Sequence, residues 1–88
     1  MSETARQIEE RLSSLSPLRL ELRDESALHA GHEGAKRGGG HYRLTIVSAA
    51  FSGRSTVARH RMIYEALGPM MQREIHALAI RALAPEET

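Results

Sequence analysis

The 88-residue chain has no cysteine and no tryptophan. Without thiols it cannot build a disulfide framework, a thiolate nucleophile or an all-cysteine metal site. Any metal held here must rest on histidine, on carboxylate, or on donors from another molecule. The aromatic residues are only Tyr42, Phe51 and Tyr64, too few to furnish a base-stacking surface. No apolar run approaches the roughly 18 residues needed to cross a bilayer. The opening "MSETARQIEERL" is too acidic and polar for a secretion signal, so a cytoplasmic protein with no membrane association is expected. Net charge is only +1, whereas chains that bind nucleic acid unaided are usually far more basic. Residues 1–88 read as a single α+β domain with a core over about 5–85, without internal repeats.

What is present is periodic. Ala5, Ile8, Leu12 and Leu15 recur at helical spacing, and Pro17 closes that segment. In "LRLELRD", Leu18, Leu20 and Leu22 alternate with charge, the signature of a strand with one buried face. "HYRLTIVSA" gives a second strand, with Tyr42, Leu44 and Ile46 on one face. A helix follows, with Ser55 as N-cap and an apolar stripe of Val57, Tyr64, Leu67 and Met71, interrupted at Gly68-Pro69. "IHALAIRAL" reads as a third strand, with His76, Leu78 and Ile80 on one face. The order αββαβ predicts a three-stranded mixed sheet with helices packed on one face. The first two strands form an antiparallel hairpin with a flexible loop over 28–40, and a right-handed crossover sets the third parallel to the second.

Chemistry concentrates in "HAGHEGAKRGGGH", residues 29–41, which holds three of the five histidines. A solvated loop is expected rather than a phosphate cradle, because a strand, not a helix N-terminus, follows the glycines and the Walker spacing is absent. "HEGAK" starts like a zincin motif but has no second histidine and no helix. No acid–base pair with a nucleophile assembles, so enzyme activity is not expected. His29 and His32 can reach one ion, yet two ligands alone make a weak site, and exposed loop histidines with no ligand role are the ordinary alternative. His76 reads as a hydrogen-bonded residue at the edge of the core. Arg59 and Arg61 are expected to point outward from opposite flanks of their helix. His60 either packs half-buried on the apolar stripe or joins Arg54, Arg59 and Arg61 in a basic contact surface.

Together "LELRDES", "HAGH", "HYRLTIVSAAFSG", "ARHRMIYEAL" and "IHALAI" resemble the BolA family from about Ile8 to Pro85. Phe51, Gly53, Arg59, His60, Arg61 and Tyr64 stand at the positions of its F-x-G-x-x-x-x-x-R-H-R-x-x-Y signature. The resemblance implies a class II KH-like fold. It also implies partnership with a monothiol glutaredoxin in a heterodimer sharing a bridging 2Fe–2S cluster, with roles in iron–sulfur trafficking and iron homeostasis. Glutaredoxin and glutathione would supply thiolates and this chain imidazole, from His76 and His29, with His32 able to replace His29. His41 would be structural. Alone, the chain would carry no cofactor. The alternative implied by the family is a DNA-binding transcriptional regulator using Arg54, Arg59, His60 and Arg61. A KH module, however, grips nucleic acid with a G-x-x-G loop between helices, and the only such string here is "GHEG" in the strand hairpin.

Overall fold

In the computed structural model, residues 2–26 and 40–88 are described. Helix α1, Glu3–Leu12, starts where the Ser2 hydroxyl accepts a hydrogen bond from the Ala5 N–H (3.1 Å). Ala5, Ile8 and Leu12 form its buried face, while Arg6 bridges outward to Glu3 and Glu10 at 2.6 and 2.8 Å. The chain tightens into a 3-10 turn at Ser13–Leu15 and reverses at Ser16, whose φ of 48° is left-handed. The helical run therefore ends before Pro17, because the residue preceding a proline is driven out of right-handed helical space.

Strand β1 is Arg19–Asp24, β2 is Gly40–Val47 and β3 is Ile75–Leu83, with β2 at the centre. β1 pairs antiparallel and β3 parallel to β2. Gly40 thus belongs to β2 rather than to the expected loop, whose remaining residues, His29 and His32 included, lie outside the described residues. Tyr42, Leu44 and Ile46 are buried, and Leu20, Leu22, Leu78, Ile80 and Ala82 pack alongside them against Ile8, Leu12, Ile63 and Leu67. The mixed α+β sheet with helices on one face is as the sequence predicts. Leu18 departs from expectation: its N–H extends the ladder to the Val47 carbonyl (2.8 Å), but it is 71% exposed. Alternation fixes the face a side chain takes, not how far the covering layer reaches.

Helix α2, Thr56–Leu67, is capped by Ser55 as predicted, its hydroxyl accepting from the Ala58 N–H (3.1 Å). Its phase is not as predicted. The buried positions are Arg59, Ile63 and Leu67, while Val57 is 67% and Tyr64 42% exposed. A charged residue occupies an interior position, so reading apolar residues alone rotates the stripe onto the wrong face. Gly68, with φ of 57°, ends the helix, and a 3-10 turn over Gly68–Gln72 carries Met70 into the core and leaves Met71 partly buried against it.

This phase predicts that Ile63→Ala costs about 2–5 kcal/mol of unfolding free energy. Val57→Ala should stay within about 0.5 kcal/mol. Chemical denaturation of the two variants checks the assignment.

Candidate functional site

The pairing of β2 with β3 carries one irregularity. Gly40 lies opposite Ile75 and His41 opposite Ala77, so His76 is an extra residue without a cross-strand position of its own. Such a bulge re-aims a side chain and breaks the strict alternation of a strand. Here it puts Ile75 into the core and leaves both His76 and Ala77 exposed before Leu78 returns to the half-buried face. His76 was expected to share a face with Leu78 and Ile80. The bulge takes it off that face and hands it to solvent.

Around the bulge the backbone is pinned. The Gly40 N–H donates to the Glu74 carbonyl (2.8 Å), the Glu25 N–H to the His41 carbonyl (2.7 Å), and the His41 N–H to the Ser26 hydroxyl (3.1 Å). Ser26 is itself turned by its N–H bond to Asp24 Oδ1 (2.9 Å), which together with the Ser26 hydroxyl holds the Asp24 carboxyl below its ordinary range. Gly40 has no room for a side chain: a Cβ there would fall 2.5 Å from Cε2 of the buried Tyr42 ring. Glycine is therefore required where the two strands meet.

The result is that the His41 and His76 rings stand 5.0 Å apart, tilted by 46°. His41, expected to be structural, is brought to the candidate ligand. Pairing of its strand with the third strand would have placed it near residue 76, but only the bulge brings the rings together. Among the described residues no group of three or more histidine, cysteine or acidic side chains converges as a metal site. Imidazoles are nitrogen donors that iron accepts, and the chain has no thiolate to add. The donor set therefore fits a centre completed by another molecule and does not fit a resident cluster.

The second group of candidates separates. Arg59 does not point outward: it is 9% exposed. Its Nη1 and Nη2 reach Oε1 and Oε2 of Glu87 at 2.6 and 3.1 Å, Nη1 also donates to the Ala82 carbonyl (3.0 Å), and Nε to the Arg54 carbonyl (2.9 Å). Glu87, in a 3-10 turn over Pro85–Glu87, also accepts from the Ala84 N–H (2.7 Å). Arg59 thus ties the entry to α2, the end of β3 and the C-terminal turn together. Arg54 is held by the Ala50 carbonyl (3.2 Å). His60 is half-buried, edge-on to Tyr64 with ring centroids 6.4 Å apart, and Arg61 is exposed.

A family model described as BolA-like protein matches residues 12–87. Over 74 residues the chain is 43% identical to BolA-like protein 1 of Mus musculus, covering 84% of this chain and 52% of that one. Over 68 residues it is 38% identical to the DNA-binding transcriptional regulator BolA of Haemophilus influenzae, covering 77% and 63%. The chain thus spans about half the length of the first relative and under two thirds of the second. The solved BolA domain of SufE1 from Arabidopsis thaliana superposes with a TM-score of 0.88 at 42% identity, covering 100% of this chain and 99% of that one.

The Arg59 guanidinium holds the Glu87 carboxyl down at about 2, against an ordinary value of 4.5. Its ionised contact therefore contributes fully above 4.5 and is lost as pH falls toward 2. Glu87→Gln is expected to lower the melting temperature at neutral pH. The gap to the parent protein should close across that acid window in pH-dependent thermal melts.

Proposed function

The chain belongs to the BolA-like protein family, and on that premise we propose that it serves as the histidine-donating partner of a monothiol glutaredoxin. In this reading the two proteins share a 2Fe–2S cluster bound for other proteins. The observation that carries the reading is the exposed His76, placed by a strand bulge beside a second imidazole in a chain without cysteine. His76 stands on a paired strand and holds its position. The second nitrogen comes from His29 or His32, which lie outside the described residues, or from His41, whose ring is already adjacent. Glutaredoxin and glutathione supply sulfur.

The chemistry of the donors supports this division. Iron–sulfur clusters are held mainly by thiolates, and this chain has none to offer. Replacing thiolates by neutral imidazoles makes the centre less negative and raises its reduction potential, as at Rieske centres. The mixed complex is thus an electronically distinct form of the partner's cluster.

Direct DNA binding is the second reading, and it draws on the name of the Haemophilus influenzae relative. The geometry supports it less well. Of the four residues in the candidate contact surface, Arg59 is committed to Glu87 and Ala82 and its charge is matched. That leaves the exposed Arg54 and Arg61 and the half-buried His60.

Titrating this chain into a cluster-loaded glutaredoxin homodimer is expected to change the visible absorption and circular dichroism and to raise the reduction potential. His76→Ala should abolish or alter both responses. Demonstrated binding with no spectral change would reduce the chain to an adaptor that does not touch the iron.

A further inference from the structure

We infer that the uncovered face of the sheet is where the sulfur-donating partner docks, through a carboxylate-rich surface beside its cluster. This inference rests on the cluster-sharing reading above. The face opposite the helices carries Arg19, Glu21 and Arg23 from β1, Arg43 and Thr45 from β2, and Ala77, Ala79 and Arg81 from β3. Among the described residues only the C-terminal turn borders it, Glu87 and Thr88 closing the end beside Arg19, the buried Val47 and Arg81.

Its charges are arranged in a way the isolated fold does not need. Arg23 lies directly opposite Arg43 in the antiparallel register, a like-charge pair that weakens a sheet unless something negative settles between the guanidinium groups. Arg81 pairs with Thr45, one step diagonally from Arg43. Arg43 has Glu25 at 3.2 Å and Arg19 has Glu21 at 2.9 Å. Arg23 and Arg81 form no ion pair among the described residues. Thr45, Ala77 and Ala79 keep the floor low, so a partner backbone can approach between the arginine stems.

This face is continuous with the histidine pair. His41 follows the same alternation as Arg43 and Thr45, two residues from Arg43 and so about 7 Å along the strand. One shallow cleft runs from Glu25 and His41 past Arg43 to Ala77 and Ala79, and another lies between Arg43, Thr45, Ala79 and Arg81. A protein seated on the arginines therefore arrives beside His41 and His76. The occupant is acidic protein rather than nucleic acid on two counts. Apart from the two imidazoles at its end, the face bears no tyrosine, phenylalanine or tryptophan on which a run of bases could stack, since Tyr42 is turned into the core. Glu21 and Glu25 also break the positive surface into separate sites, which suits discrete carboxylates and interrupts a phosphodiester track.

The test is a double charge reversal, Arg23→Glu with Arg81→Glu, at two exposed positions, with the fold checked by far-ultraviolet circular dichroism. Affinity for a monothiol glutaredoxin is measured by calorimetry, and the visible spectrum of the cluster-loaded form is followed in parallel. At about 0.05 M salt the reversal should weaken binding at least about tenfold, shrinking to about twofold at about 0.5 M as screening tightens. The spectral end point at saturation should match the parent protein, because His76 is intact. Affinity within about twofold of the parent at both salts, with the His76-dependent spectrum preserved, overturns the docking face and spares the cluster reading. Weakened binding together with a spectrum indifferent to His76→Ala sustains the docking face and removes the cluster reading. Loss of affinity for a DNA duplex but not for glutaredoxin assigns the face to nucleic acid and overturns the proposal. Absence of any glutaredoxin binding overturns both.

Discussion

One surplus residue in β3, opposite the Gly40–His41 step, is the constraint on which the rest of the molecule turns. A parallel pair keeps its hydrogen bonds evenly spaced, so an added residue must either shift the register or stand outside it. Here it does both: His76 stands outside the ladder, and the register beyond it is shifted by one. Ile75 remains in the core and Leu78 resumes the half-buried face, and the residue between them that cannot be paired is His76. Gly40 makes the arrangement possible, since Tyr42 occupies the volume a Cβ would need. The same packing that closes the core under Tyr42 therefore presents an imidazole to solvent next to His41.

The bulge also changes which backbone groups of β3 face outward. The Glu74 carbonyl accepts from Gly40 before the bulge, and the Leu83 carbonyl accepts from Ser48 at the far end. Between them the residues whose carbonyls point toward β2 switch from even to odd, which leaves the Ala82 carbonyl on the free edge. Exposed strand edges invite unwanted pairing, and Arg59 occupies this one, donating to Ala82 while Glu87 clamps the guanidinium. The two ends of β3 are used differently: the first displays a ligand, and the last is locked to α2 and the C-terminal turn. An arginine from the most recognisable motif of the chain is thus a fastening, and neighbouring Arg61 is left to the surface.

Much of this was legible in the residues. Alternation in "LRLELRD" and "HYRLTIV", the cap at Ser55 and the break at Gly68-Pro69 are local signals, and they found the elements, with β3 read over the same residues, Ile75 to Leu83. What escaped depends on contacts distant in sequence. The true face of α2 was hidden because its first buried residue is Arg59, whose charge is matched by Glu87, 28 residues away. The exposure of His76 was hidden because nothing in "IHALAI" marks which residue a partner strand will fail to pair. His41 lay in plain view as the first histidine of a strand, but its proximity to His76 follows only from that missed pairing. His29 and His32, singled out by composition, lie outside the described residues.

The account stands on nitrogen from this chain bound to iron in the mixed complex. The most direct measurement is pulsed electron paramagnetic resonance on the reduced cluster, with this chain labelled with ¹⁵N and glutaredoxin and glutathione left unlabelled. Strong ¹⁵N coupling, diminished or lost in His76→Ala, is the predicted result. A complex of full stoichiometry whose cluster shows no strongly coupled ¹⁵N would contradict it.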